Sequence, residues 1–185
     1  MSSKRASTAP AAPKPPTSLS PTLTIAEHAS LVGSYLITLG ANTVVHPRAK
    51  LNSTYGPITV GSNCIISERS MIGLQGRGAD GEGVVIEDGV IVEVGATVES
   101  KVIGEGCVIE VNAKVGRGSL LGTHCKIGPL CEVAEDEVLP DYTVLFANGM
   151  RRIDNSGVED LKLKMVARQI DVLRRLIPSN LTKFQ

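Results

Sequence analysis

The side chains with most chemistry to offer are three histidines and four cysteines. Three imidazoles meeting at one cleft could hold a catalytic zinc, and a single one facing a cleft could serve as general base for acyl transfer. His28, His46 and His124 are widely spaced, and His124 is the candidate base. Cys64, Cys107, Cys125 and Cys131 form no Cys-x-x-Cys, so zinc-knuckle and thioredoxin-like chemistry have no spacing to rest on. Gly76, Gly78 and Gly81 spell G-x-G-x-x-G, a dinucleotide fingerprint only where a strand passes into a helix. There is no G-x-S-x-G and no P-loop.

What positions these residues is a period of six. Ile103, Ile109, Val115, Leu121, Ile127, Val133, Leu139 and Leu145 are aliphatic without a miss. Six is neither the helical 3.6 nor plain strand alternation. It predicts an all-β hexapeptide-repeat β-helix, in which each hexapeptide supplies a short strand and a corner, and three make one triangular rung. With the aliphatic as position one, all four cysteines take position five, the small-residue slot held elsewhere by Thr43, Ala49, Ala96 and Ala113. They read as reduced, buried small hydrophobes, which suits the cytosol. His28 and His124 take position four, a solvent corner, and His46 takes position two. No catalytic, metal or cofactor-binding residue is therefore expected. Glycine recurs at position two (Gly40, Gly61, Gly104, Gly116, Gly122, Gly128), which predicts corners with unusual backbone angles.

Three regions follow. Residues 1–22 hold half the prolines and read as a disordered, solvated tail. Residues 23–150 carry about six rungs, with a Gly-rich loop ejected at 73–83 that empties the G-x-G-x-x-G match. Residues 151–185 read as a linker and an amphipathic helix. Ser156-Gly157-Val158-Glu159 fits a capping box, and Pro178 stops the helix. Leu163, Val166, Ile170, Leu173 and Ile177 form its apolar stripe. That stripe either packs on the prism or meets a partner, and it is the candidate partner-contact face.

The 19 basic and 19 acidic residues cancel, and no cationic cluster invites a nucleic acid. No apolar run is long enough for membrane insertion, and no signal-peptide core opens the chain.

Prisms of this kind with a C-terminal helix include γ-class carbonic anhydrases, acyltransferases and two dynactin subunits. The segments 39–49 (LGANTVVHPRA), 56–61 (GPITVG), 92–95 (VEVG), 138–144 (VLPDYTV) and Met150-Arg151-Arg152, in that order, resemble the dynactin subunit 6 family. The resemblance implies a left-handed β-helix without catalytic activity or cofactor. It implies a place in the cytoplasm and cytoskeleton, within the pointed-end complex of dynactin, supporting dynein-driven transport and cargo or adaptor attachment. The partners it implies are dynactin subunit 5, subunit 4 and the pointed-end actin-related protein. Where the carbonic anhydrases carry a His-x-x-x-x-His pair, this chain has Val94 and Glu99. The alternative reading is a γ-carbonic anhydrase-like or acyltransferase enzyme.

Overall fold

A computed structural model describes residues 14–76, 81–147 and 149–185. Short parallel strands stack into three faces of a β-solenoid of about six turns. The first face runs from Thr17–Leu19 to Val138–Leu139, the second from Thr24–Ile25 to Thr143–Phe146, and the third from Ser30–Gly33 to Glu132–Val133. Rungs are in strict register: Val85 pairs Val102, which pairs Leu120, which pairs Val138. The eight aliphatics of the perfect run all point inward, none more than 3% exposed. A rung buries these side chains only against the rungs above and below, so stability comes from stacking rather than from any rung alone.

The corners differ from expectation in an instructive way. The backbone enters the left-handed region at position four, at Asn42, Asn63, Asn112, His124, Leu130, Asp136 and Tyr142 among others, with φ near 55–60°. The position-two glycines have ordinary φ. They are small because the chain beside them is close: a Cβ on Gly40 would lie 2.4 Å from the Gly61 carbonyl carbon, and one on Gly104 would lie 2.7 Å from that of Gly122. Contact between rungs, not backbone angle, requires them.

Along the first face successive strands are offset by 20, 21, 26, 17, 18 and 18 residues. Every departure from 18 falls on one prism edge, where the third face turns into the first. The connections from Leu31 to Leu39, Leu51 to Val60, Ile72 to Ile86 and Val98 to Ile103 all lie there. The frame slip at 52–57 and the insertion at 73–83 are therefore one feature, loops stacked on consecutive rungs. Gly56 touches the Glu82 carbonyl, and the Val84 amide donates to the Pro57 carbonyl at 3.0 Å. Leu74, expected in the ejected loop, is core at 2% exposed. Residues 77–80 of that loop, with Gly78, lie outside the described residues.

Both termini also depart from expectation. Thr17–Leu19, read as tail, is the first strand of the first face and pairs with Ile37–Leu39. Residues 1–13 of the expected tail lie outside the described residues. Met150–Ile153, which runs from the end of the expected repeats into the expected linker, is a strand folded back antiparallel on Thr143–Phe146. The helix spans Glu159–Leu176 and has no side-chain cap. The capping box does not form: the N-cap is Val158, and the Ser156 amide donates instead to the Asp154 carboxylate at 3.1 Å, which also pairs with Lys162 at 2.9 Å. Those contacts hold the Asp154 carboxyl well below the usual carboxylate range.

The helix crosses the second face and delivers residues 178–185 to the N-terminal end of the prism. Ser179 bridges Ala26 and its hydroxyl accepts the Ile25 amide at 3.1 Å. The Asn180 amide donates to the Ile25 carbonyl at 3.0 Å, and the Thr17 hydroxyl to the Phe184 carbonyl at 2.9 Å. Leu181 and Phe184 close over the first rung of the core.

Candidate functional site

The histidines are not brought together. His28 and His46 stand in the first and second rungs on the edge between the second and third faces, and His124 stands near the other end on a different edge. The Nε2 of His46 is buried without a hydrogen-bond partner, and burial lowers its pKa against the pull of Glu68. His124 is half-buried and stacks on Tyr142, ring centroids 5.6 Å apart. Among the described residues no three His, Cys, Asp or Glu are close enough to hold a metal. Val94 is exposed, and Glu99 accepts the Gln75 amide at 2.9 Å, anchoring the inserted loop. No motif around Glu99 signals that anchoring role.

The thiols lie in the core, as position five predicts, none more than 6% exposed and none in a disulfide. Cys64 donates to the Glu87 carbonyl at 3.1 Å, Cys107 to that of Gly122 at 3.1 Å and Cys125 to that of Pro140 at 3.2 Å. Each of these three thiols thus ties its rung to the next. Burial pushes the Cys64 thiol up from 9.0 to about 12. Its contact with Cys125, and then burial, pushes Cys107 up as well.

Raised thiol pKa values mean that the unfolded chain releases protons first as pH rises. The contribution of Cys64 to stability is therefore intact below pH 9 and falls from there toward pH 12. Cys64→Ala, which copies Ala49 and Ala96 in the same slot, should make this alkaline loss shallower in denaturant titrations at pH 7, 9 and 10.5. Thiol reagents should label the native protein slowly and all four cysteines rapidly after denaturation. Fast native labelling of several would break the register.

The inserted loop is pinned at its far end too. Arg117 pairs with Glu82 through a bidentate contact, Nε to Oε1 at 3.1 Å and Nη2 to Oε2 at 2.5 Å. Neither side chain is more than 25% exposed. Arg117→Ala should leave the unfolding midpoint within a few degrees while making the 75–82 segment several-fold more sensitive to limited proteolysis. Equal sensitivity would show that Glu99 and Pro57 hold the loop unaided.

What the surface does offer is apolar. The last rung and its folded-back strand expose Leu130 (79%), Val138, Tyr142, Met150 and Ile153, with Arg151 paired to Glu137 across the end. Leu130 is doubly unfavourable, being exposed and also left-handed at φ 60°, a conformation that costs a non-glycine residue about 1–2 kcal/mol. The two ends of the prism thus differ: residues 178–185 cover the N-terminal end, whereas the C-terminal end presents hydrophobes and the unpaired outer edge of Met150–Ile153. The helix stripe expected as a candidate partner-contact face lies against the prism. Val166 and Ile170 are buried against Val44 and Ile65, and Leu173 and Ile177 join the same cluster beside Ile91. Leu163 shares that inward side, its methyl beside Gly89.

No family model matches the chain. It is 32% identical to dynactin subunit 6 of Danio rerio over 152 residues, 77% of this chain and 75% of that one. It is 31% identical to dynactin subunit 6 of Nematostella vectensis over 162 residues, 84% and 85% of the two chains. Among solved structures it resembles a putative acetyltransferase of Bacillus cereus, with TM-score 0.52 and 14% identity, covering 88% of this chain and 95% of that one. At that identity the likeness is one of fold.

Proposed function

The chain belongs to the dynactin subunit 6 family, and from that premise we propose that it is a non-catalytic structural subunit of the pointed-end complex of dynactin. In this reading it works in the cytoplasm, on the cytoskeleton, supporting dynein-driven transport and the attachment of cargo or adaptors. Its partners are dynactin subunit 5, with subunit 4 and the pointed-end actin-related protein nearby. It acts by surface complementarity and needs no cofactor.

The observation that carries the proposal is the asymmetry of the two ends. An open solenoid end is an unpaired strand edge, which proteins cover, charge or use for association. Here one end is covered by the chain's own C-terminal residues. The other carries a strained, exposed leucine among further exposed hydrophobes. Apolar side chains retained in an unfavourable conformation on a surface are a mark of use. A second prism stacked on this end would satisfy both its backbone edge and its hydrophobes. The residues that could support an enzyme are meanwhile divided between separate edges and a sealed core.

Leu130→Asn tests this cleanly. Asn holds the same left-handed corner at positions 42, 63 and 112, so folding should be unharmed or improved by up to about 1 kcal/mol. Assembly with dynactin subunit 5, measured by co-purification of the co-expressed chains, should fall at least tenfold. Unchanged co-purification would remove the C-terminal end from the interface.

A further inference from the structure

The helix has a second apolar row that the prism does not use. Leu161, Met165, Val172 and Leu176 are 56–70% exposed. At 100° per residue they fall within an arc of about 60°, on the side of the helix away from the Val166–Ile170 stripe, and they extend about 22 Å along it. Arg168 and Arg175 border this row on one side, with Lys164 just behind them. All three are exposed and take part in none of the ion pairs among the described residues. The other border holds Lys162 and Gln169, and behind the basic row lie two carboxylates, Asp160 one turn before Lys164 and Asp171 between Arg168 and Arg175.

We propose that this outer face receives an amphipathic helix of another protein, with apolar residues at three- and four-residue spacing and a row of Asp or Glu set against Arg168 and Arg175. Four hydrophobes over four turns match the ridges and grooves of one helix laid along another. The charges decide which helix fits. A wholly apolar partner would bury two guanidinium groups unpaired, which is costly. A second copy of this chain would bring a cationic row to the seam, or set it against the uncharged Gln169 and cationic Lys162 border. Neither arrangement neutralises the arginines. An acidic row does, with the bidentate geometry that guanidinium and carboxylate favour. This inference is independent of the C-terminal end and of what stacks there.

The test is photo-crosslinking from a benzophenone amino acid placed at Met165 or Val172 in the full chain, expressed in its own cells, with Leu130 as a comparison site. The crosslinked peptide is then sequenced by mass spectrometry. The proposal expects one foreign segment with apolar 3–4 spacing and acidic residues, captured from both helix positions. It expects the yield to fall at least tenfold in the Arg168→Glu, Arg175→Glu double variant, whose unfolding midpoint stays within a few degrees. It is overturned by no product from either helix position, by a product with a second copy of this chain, by capture of lipid, by a segment without that pattern, or by a yield indifferent to charge reversal. A silent Leu130 probe with a productive helix would count against the stacking site alone.

Discussion

Val115→Asp should abolish two-state folding or lower the unfolding free energy by at least about 4 kcal/mol, the largest single-residue effect expected in this chain. Val115 is 1% exposed and sits between Val98 and Val133, its register partners in the rungs above and below. A carboxylate there has no basic side chain within the core to pair with and no route to water. It would take up a proton, leave the interior, or open the rung. Because rungs support only their neighbours, the damage should be local in space and large in energy, and hydrogen exchange should accelerate most in 97–98, 114–115 and 132–133. Urea titration followed by circular dichroism measures the loss. A fall below about 1 kcal/mol would mean that the interior is wet or that Val115 faces outward.

Deleting residues 178–185 should cost about 2–4 kcal/mol and shift the protein from monodisperse to aggregating, the second largest effect. Leu181 and Phe184 leave the first rung bare, and the strand Thr24–Ile25 loses its contacts with Ser179 and Asn180. What remains is an exposed parallel edge with Leu19, Leu23 and Ile25 beneath it. Thermal unfolding and light scattering together separate the two consequences. A truncated chain that melts at the same temperature and stays disperse would mean the C-terminal residues rest on the prism without sealing it. Ser179→Ala, which removes only the hydroxyl that accepts the Ile25 amide, should reproduce a small part of the loss.

The period of six was readable because an aliphatic at position one has no alternative to the interior, and rung after rung repeats that demand. The cysteines followed from the same frame. The role of the position-two glycines was misread, because a small residue looks the same whether a backbone angle or a neighbouring rung demands it. Only the three-dimensional approach of Gly61 to Gly40 tells them apart. Thr17–Leu19 escaped notice because a three-residue strand needs only one aliphatic in register, and Leu19 stands alone among Pro, Ser and Thr. In place of the capping box, the Ser156 amide donates to Asp154, a residue outside the motif. The helix was the hardest case. Its sequence holds two apolar rows on well-separated sides, and a pattern alone does not say which one the prism takes. The prism takes the row with Val166 and Ile170 and leaves Leu161 and Val172 in solvent. What distinguishes the two prism ends is where the last eight residues go.

The central claim is that this stiff aliphatic prism acts by binding other subunits rather than by turning over a substrate. Native purification through a tag on this chain, with quantitative mass spectrometry of the intact assembly and metal analysis of the same sample, tests it most directly. The account predicts one copy of this chain in a hetero-assembly with dynactin subunit 5 and the other pointed-end subunits, without stoichiometric metal. A free symmetric homotrimer carrying one zinc per chain, or turning over an acyl donor, would contradict it.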